Sequence, residues 1–175
     1  MQAIHLILPT EGNLDQVWAY RQECLDTGSS MDGCGPLRRL DTPAEWLTTV
    51  ISYTDPATLP EGKVLATQFL AVRESDGKLV GMIQVRHYFN EYLEKYAGHI
   101  GYSIRPCERR KGYAKGMLRL ALPYCKGLGL DRVLISCEVS NEGSRRTILS
   151  NGGVYEGTVH EPEEDIDLER YWIEL

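Results

Sequence analysis

One segment limits the fold more than any other. Between Ala114 and Leu128, apolar residues recur at Ala114, Met117, Leu118, Ala121, Leu122, Cys125 and Leu128. Steps of three and four put them along one side of an α-helix. A helix with a single apolar stripe has to lie on something, and its neighbours in sequence supply the surface. His99 to Ile104, closed by Pro106, reads as a strand, and so does Arg132 to Cys137. Strand, helix and strand therefore form the organising unit, and the chain belongs to the α/β or α+β class with a mixed sheet. Pro123 falls inside the helix, where it removes a backbone hydrogen bond, so a bend is expected there. Gly127 and Gly129 mark the stop.

The other elements follow from local signals. Ile4 to Leu8 is an apolar run that predicts a first strand. Asn13 or Asp15 opens a helix expected to reach Thr27, with Gly28 ending it. Thr27 to Pro36 is rich in turn formers and predicts a surface loop. Thr42, Pro43 and Glu45 make a capped helix start, and that helix must end before Pro56. Val64 to Arg73 and Leu79 to Phe89 are β-rich and flank Ser75-Asp76-Gly77, which predicts a hairpin. Asn90 to Tyr96 fits a short helix or a loop. Asn141 to Ser150 fits a short helix stopped by Asn151-Gly152-Gly153, and Val154 to Val159 and Glu169 to Leu175 fit closing strands.

Bulk properties exclude several functions. With 175 residues, 42% of them hydrophobic, the chain reads as one domain, 1–175, with no linker or repeat dividing it. A net charge of −6 opposes nucleic-acid binding, which needs a broad basic surface. No apolar stretch approaches a membrane span or a signal sequence, so a soluble, cytoplasmic protein is expected. Cys24, Cys34, Cys107, Cys125 and Cys137 are scattered without a close pair, which predicts reduced thiols, mostly in the core, and no metal site.

The chemistry is concentrated just before the long helix, in Pro106-Cys107-Glu108-Arg109-Arg110-Lys111-Gly112-Tyr113-Ala114. A strand-to-helix turn presents free backbone N–H groups, and the helix start adds partial positive charge. Gly112 and Ala114 are small enough to let a diphosphate approach. Three cations at a helix start oppose the helix dipole, and an anionic ligand would offset that cost. A solvated basic loop is the plain alternative. Neither a P-loop nor a dinucleotide-binding glycine pattern is present.

In this setting Arg109-x-x-Gly112-x-Ala114 resembles the R/Q-x-x-G-x-G/A signature of the GNAT acetyltransferase superfamily. The resemblance runs from about Val64 to Leu175. It takes in Gly98-His-Ile-Gly-Tyr-Ser-Ile-Arg-Pro106 before the signature, Asn141-x-x-Ser144 after the next strand, and the closing Asn151-Gly-Gly-Val-Tyr-Glu156. Its wording is nearest to the ribosomal-protein N-acetyltransferase branch and small bacterial relatives. The resemblance implies a mostly antiparallel mixed sheet of six to seven strands with splayed central strands and about four helices. It implies acetyl-coenzyme A as the acetyl donor and an amine acceptor. Backbone N–H groups from Arg110 through Tyr113 to Ala114 would hold the pyrophosphate, with the Arg109 and Lys111 side chains neutralising it. Ser103, Ile104 and Arg105 would offer unpaired backbone groups to the pantetheine arm, and the Ile104 N–H would polarise the thioester carbonyl. Asn141 would bond the same arm, although a plain N-cap explains it equally well.

Catalytic groups are less determined. Many family members carry a Tyr seven residues after the Asn, as acid for the departing thiolate, and here that position is Ile148. Ser144 is the nearest hydroxyl and the substitute candidate. His99, and less so His87, have the intrinsic pKa of a base, with proton release through water as the alternative. The acidic run Glu161, Glu163, Glu164, Asp165 and Asp167 reads as a solvated loop or as a guide for a cationic amine. An acyl-coenzyme A-binding or sensing module without catalysis is the second reading, prompted by the missing Tyr, and an interaction domain without cofactor is the third. The acceptor class stays open among protein N-termini, polyamines, antibiotics and metabolites. A homodimer is compatible with the sequence, which does not demand one.

Overall fold

In a computed structural model, which describes residues 2–175, the first strand is β1 (Ile4–Ile7), followed by α1 (Leu14–Asp26) and α2 (Pro43–Ser52). The capping box read from the sequence is present: the Glu45 N–H donates to Thr42 Oγ1, and the Thr42 N–H donates to Glu45. The hairpin β2 (Ala66–Arg73) and β3 (Leu79–Arg86) comes next and then β4 (Ile100–Ile104). Between β3 and β4, Leu93–Ala97 forms a π-helical turn.

The long helix is α3 (Tyr113–Gly127), which continues through Pro123. Then come β5 (Arg132–Glu138), α4 (Glu142–Leu149), β6 (Val154–Glu161) and β7 (Ile166–Glu174). The last two strands are longer than the sequence suggests, which shrinks the acidic loop to a tight turn between them.

The seven strands form two antiparallel sheets, ordered β1-β2-β3-β4 and β5-β7-β6. The sheets meet where β4 begins: Gly98 bridges Ile135, and the His99 N–H donates to Leu134 O at 2.8 Å. Beyond that point β4 and β5 part, which is the expected splay.

Helices cover both faces of the first sheet. Met117, Leu118, Ala121 and Ile148 from α3 and α4 pack with Ile83, Ile100, Ile104 and Ile135. Val17, Tyr20, Trp46 and Val50 from α1 and α2 pack with Leu70, Leu79 and Met82 on the other side. β3, between these layers, is buried from Leu79 to Val85. Each large apolar side chain sealed this way stabilises the fold by about 1.5–3 kcal/mol.

One expectation is corrected. The segment from Thr27 to Pro36 is a surface loop on one side only: Thr27, Gly28, Ser30, Asp32 and Gly35 are exposed, but Ser29, Met31, Gly33 and Cys34 are buried. Trp46 donates its indole N–H to Cys34 O at 2.8 Å, and Gln68 donates to Gly33 O at 2.7 Å. A side chain at Gly33 would put its Cβ 2.1 Å from Gly101 O, so only glycine lets this loop seat against β4. Turn-forming residues predict bends; they do not predict whether the bend is covered.

Candidate active site

The splay exposes alternate backbone groups of β4. The Arg105 N–H donates to Val80 O and the Arg86 N–H to His99 O, at 2.9 and 2.8 Å. Ser103 lies opposite Met82 and Gly101 opposite Gln84. Antiparallel alternation then pairs His99, Gly101, Ser103 and Arg105 with β3 and turns the polar groups of Tyr102 and Ile104 into the gap. Ile104 O accepts from Arg109 Nε at 3.2 Å.

The gap widens into a cleft of about 1110 Å³ lined by both strands, the turn before α3, the start of α4 and the β6–β7 turn. At one end sits the basic turn. Gly112 caps α3 in the left-handed region at φ 83°, and Arg110 has φ 62°, unusual for a residue with a side chain. Among the described residues, no backbone N–H from Arg110 to Lys115 finds an acceptor; the first helical bond is from Gly116 to Gly112 O. Left-handed turns that gather such donors make anion-binding concavities, and the helix dipole adds to them.

The side chains divide. Arg109, Arg110, Gly112, Tyr113 and Ala114 line the cleft. The Lys111 ammonium does not, because it bonds Glu108 at 2.8 Å. Glu108, 3% exposed, also holds Lys78 at 2.7 Å and Arg73 at 2.9 Å. Burial pushes the Glu108 carboxyl up, but its bonds to Lys111 and Lys78 and the charge of Arg73 outweigh this and hold it at about 2. Arg105 is also turned away: its guanidinium pairs with Glu23 at 2.7 Å, and its carbonyl accepts from the Glu108 N–H. The Ser103 hydroxyl lies on the opposite face of β4, 2.8 Å from Tyr20 Oη and 3.3 Å from Cys34 Sγ.

At the start of α4, Asn141 accepts from the Ser144 N–H at 3.0 Å, the N-cap role foreseen for it, and also lines the cleft. Ser144 Oγ is 2.8 Å from Tyr102 Oη, so two hydroxyls meet at the cleft wall. Burial raises the Tyr102 pKa, and the bond to Ser144 offsets part of that rise. Ile148 is fully buried in the core and brings nothing polar to the cleft.

His99 is corrected as a base candidate. It is 5% exposed and outside the residues lining the cleft. Its Nδ1 accepts from the Leu134 N–H at 2.9 Å, and its ring lies 4.0 Å from Phe89. Burial, with Arg86 nearby, lowers its pKa to about 4, which keeps it neutral. His87 is occupied as well, its Nε2 being 2.8 Å from Thr67 Oγ1. The histidines lock strands together.

The far end of the cleft collects Asp32, Arg86, Tyr92, Tyr96, Glu161 and Glu164. Glu161 is buried and accepts the N–H groups of Glu163 and Glu164, so one member of the acidic run holds the β6–β7 turn in shape. Tyr102 and Arg86 were both missed from sequence. The signal for Arg86 was its place at the end of the apolar strand Leu79–Arg86; Tyr102 needed the pairing register of β4.

Comparison with known proteins agrees with this architecture. The sequence model described as "acetyltransferase (GNAT) domain" matches residues 9–154. Among curated proteins, no sequence matches. Among solved structures, the ribosomal-protein-S5-alanine acetyltransferase of Vibrio fischeri superposes with a TM-score of 0.76 at 16% identity, covering 99% of this chain and 94% of that one. A ribosomal L7/L12 α-N-protein acetyltransferase in complex with coenzyme A gives 0.73 at 16% identity, covering 100% and 96%. A Vibrio cholerae spermidine N-acetyltransferase chimera gives 0.66 at 17% identity, covering 98% and 94%. At these identities the likeness is one of fold.

Proposed function

Because this chain belongs to the GNAT acetyltransferase family, we propose that its cleft binds acetyl-coenzyme A and passes the acetyl group directly to a primary amine. The observation that carries this is the row of acceptor-free N–H groups from Arg110 to Lys115, opening into the gap between β4 and β5. Those donors, with Arg109 and Arg110, fit the diphosphate. The Tyr102 and Ile104 edge of β4 fits the amide-bearing pantetheine arm, which would pair with it as an added strand.

Transfer requires an amine without its extra proton, a polarised thioester carbonyl and a proton for the thiolate. The amine nitrogen bonds to the acetyl carbon, the C–S bond breaks, and the amine's proton leaves as the sulfur gains one. The Tyr102 N–H and the Ile104 N–H are the backbone donors that can stabilise charge on the carbonyl oxygen. The hydroxyl pair Tyr102–Ser144 takes the place of the Tyr that Ile148 displaces: Tyr102 gives its proton to sulfur and Ser144 orients the phenol. With no histidine lining the cleft among the described residues, the amine's proton passes to water and the carboxylates of Asp32 and Glu164.

The reading of a binding module without catalysis rests on Ile148 alone, and the Tyr102–Ser144 hydroxyl pair is the observation that weighs against it. Calorimetric titration of acetyl-coenzyme A tests the proposal. Binding by the wild type that Gly112→Asp abolishes is expected, and a wild type that does not bind would end it. Thiol release with an amine panel separates an enzyme from a sensing module.

A further inference from the structure

Arg86 is a cation at the far end of the cleft without a carboxylate of its own. Its Nη1 donates to Ala97 O and Gly98 O at 3.3 and 3.4 Å, both long. Its Nε and second terminal nitrogen have no acceptor among the described residues, and Arg86 makes no ion pair there. Arg73, Arg105, Arg145, Arg146 and Arg170 all have one within 4 Å, and the other arginines without one are exposed, apart from Arg21, which bonds Leu37 O at 2.9 Å and stacks on Trp18. Burial lowers the Arg86 pKa only to about 10, so the guanidinium stays charged at neutral pH. A half-buried cation left this way is costly unless something anionic comes to it.

Its position says what kind of anion. A methyl group on Gly101 would lie 3.2 Å from a terminal nitrogen of Arg86, so the guanidinium rests against β4 one residue from Tyr102. Under the transferase reading, that is beside the acetyl carbon and on the acceptor's side. Asp32 is a charge neighbour of Arg86 beyond ion-pair distance, and Glu161 and Glu164 lie near Tyr92 at the same end of the cleft. Groups of opposite charge therefore share this end without pairing with each other. A polyamine would satisfy the carboxylates and leave Arg86 bare, whereas a simple anion would do the reverse.

Resting on the acetyltransferase reading, we infer that the acceptor is a small zwitterion: a primary amine carrying a carboxylate close to the nitrogen, as an α-amino acid does. Arg86 grips the carboxylate through its planar fork. The acidic groups draw the ammonium inward, and its proton leaves through water as the amine attacks. The bound carboxylate then sets the distance from amine to acetyl carbon.

The test titrates a panel of N-acetyl-L-amino acids, the expected products, and their N-acetyl amino amides into the protein, with and without coenzyme A. At least one acid should bind, and its amide should bind roughly 100-fold more weakly, as expected for losing a partly buried charge pair. Arg86→Gln should remove acid binding while acetyl-coenzyme A affinity changes less than about threefold, which also shows that the variant is folded. The inference falls if amides bind as well as acids, if Arg86→Gln leaves acid affinity unchanged, or if no acid binds. Failure of the wild type to bind acetyl-coenzyme A would defeat the transferase reading instead, and the acid titration without coenzyme A would still report on Arg86.

Discussion

The two ends of the cleft are built in different ways. The end proposed for the cofactor is nearly continuous in sequence, from Arg109 to Lys115, and its donors are backbone N–H groups aimed by a left-handed turn and a helix start. The acceptor end gathers Asp32, Arg86, Tyr92, Tyr96, Glu161 and Glu164 from four separate segments, and its groups are side chains. A backbone site grips a constant feature, the diphosphate, and tolerates little change in local geometry. A side-chain site can be rewritten one residue at a time. On the proposed reading, one cleft thus joins a fixed donor site to an adjustable acceptor site.

The largest expected effect lies at the fixed end. Gly112→Asp places a side chain where φ is 83° and a negative charge among the phosphate donors. Acetyl-coenzyme A affinity should fall by roughly 1000-fold or more in calorimetry, about 4 kcal/mol, while N-acetyl amino acid binding at Arg86 persists. Joint loss of both would show that the two ends are one unit.

Next comes the floor of the adjustable end. Gly33 has φ 70°, and a Cβ there would overlap the β4 backbone. Gly33→Ala should therefore destabilise the protein by about 3 kcal/mol, through strain and displacement of the loop. Chemical denaturation measures this. If stability is unchanged, the loop is not seated against β4, and the acceptor end lacks its wall.

The junction between the ends is Tyr102. Removing its hydroxyl in Tyr102→Phe should lower kcat about 100-fold or more, in the range of a lost general acid. KM for both substrates should stay within about twofold if the hydroxyl acts only on the leaving group. An unchanged kcat in steady-state assays, with rate-limiting product release excluded by the absence of a pre-steady-state burst, would return the role to solvent.

How much of this the sequence disclosed follows the same division. The strand, turn and helix around Gly112 were legible because backbone donors depend on local conformation, and glycine, proline and helix periodicity report local conformation directly. The Thr42 capping box and the Asn141 N-cap were legible for the same reason. His99 misled because its suitability as a base depended on burial and on the Leu134 N–H that occupies its ring, neither of which is local. Tyr102 was hidden because the choice of which β4 residues face the gap is set by register with β3. Arg86 was visible as a charge ending an apolar strand, but its lack of a partner is a fact about segments far apart in the chain. The buried side of Thr27 to Pro36 was missed because turn composition says nothing about what the turn packs on.

The smallest expected effect tests a side chain that sequence position assigns to the fixed end and the structure removes from it. Lys111 stands inside the signature, yet its ammonium is 2.8 Å from Glu108, whose carboxyl at about 2 stays ionised down to strongly acidic solution. Nothing between pH 5 and pH 8 releases that ammonium through Glu108. Lys111→Ala should therefore change acetyl-coenzyme A affinity by less than about threefold, and stability by no more than about 1 kcal/mol, because the pair is half exposed on the lysine side. Glu108 keeps Lys78 and Arg73 in the variant, so the turn should hold its shape. Arg109→Ala, which removes a guanidinium that lines the cleft, should weaken binding roughly tenfold in the same titration. If the two variants lose affinity equally, Lys111 must leave Glu108 when the diphosphate arrives, and the fixed end is less fixed than its backbone implies.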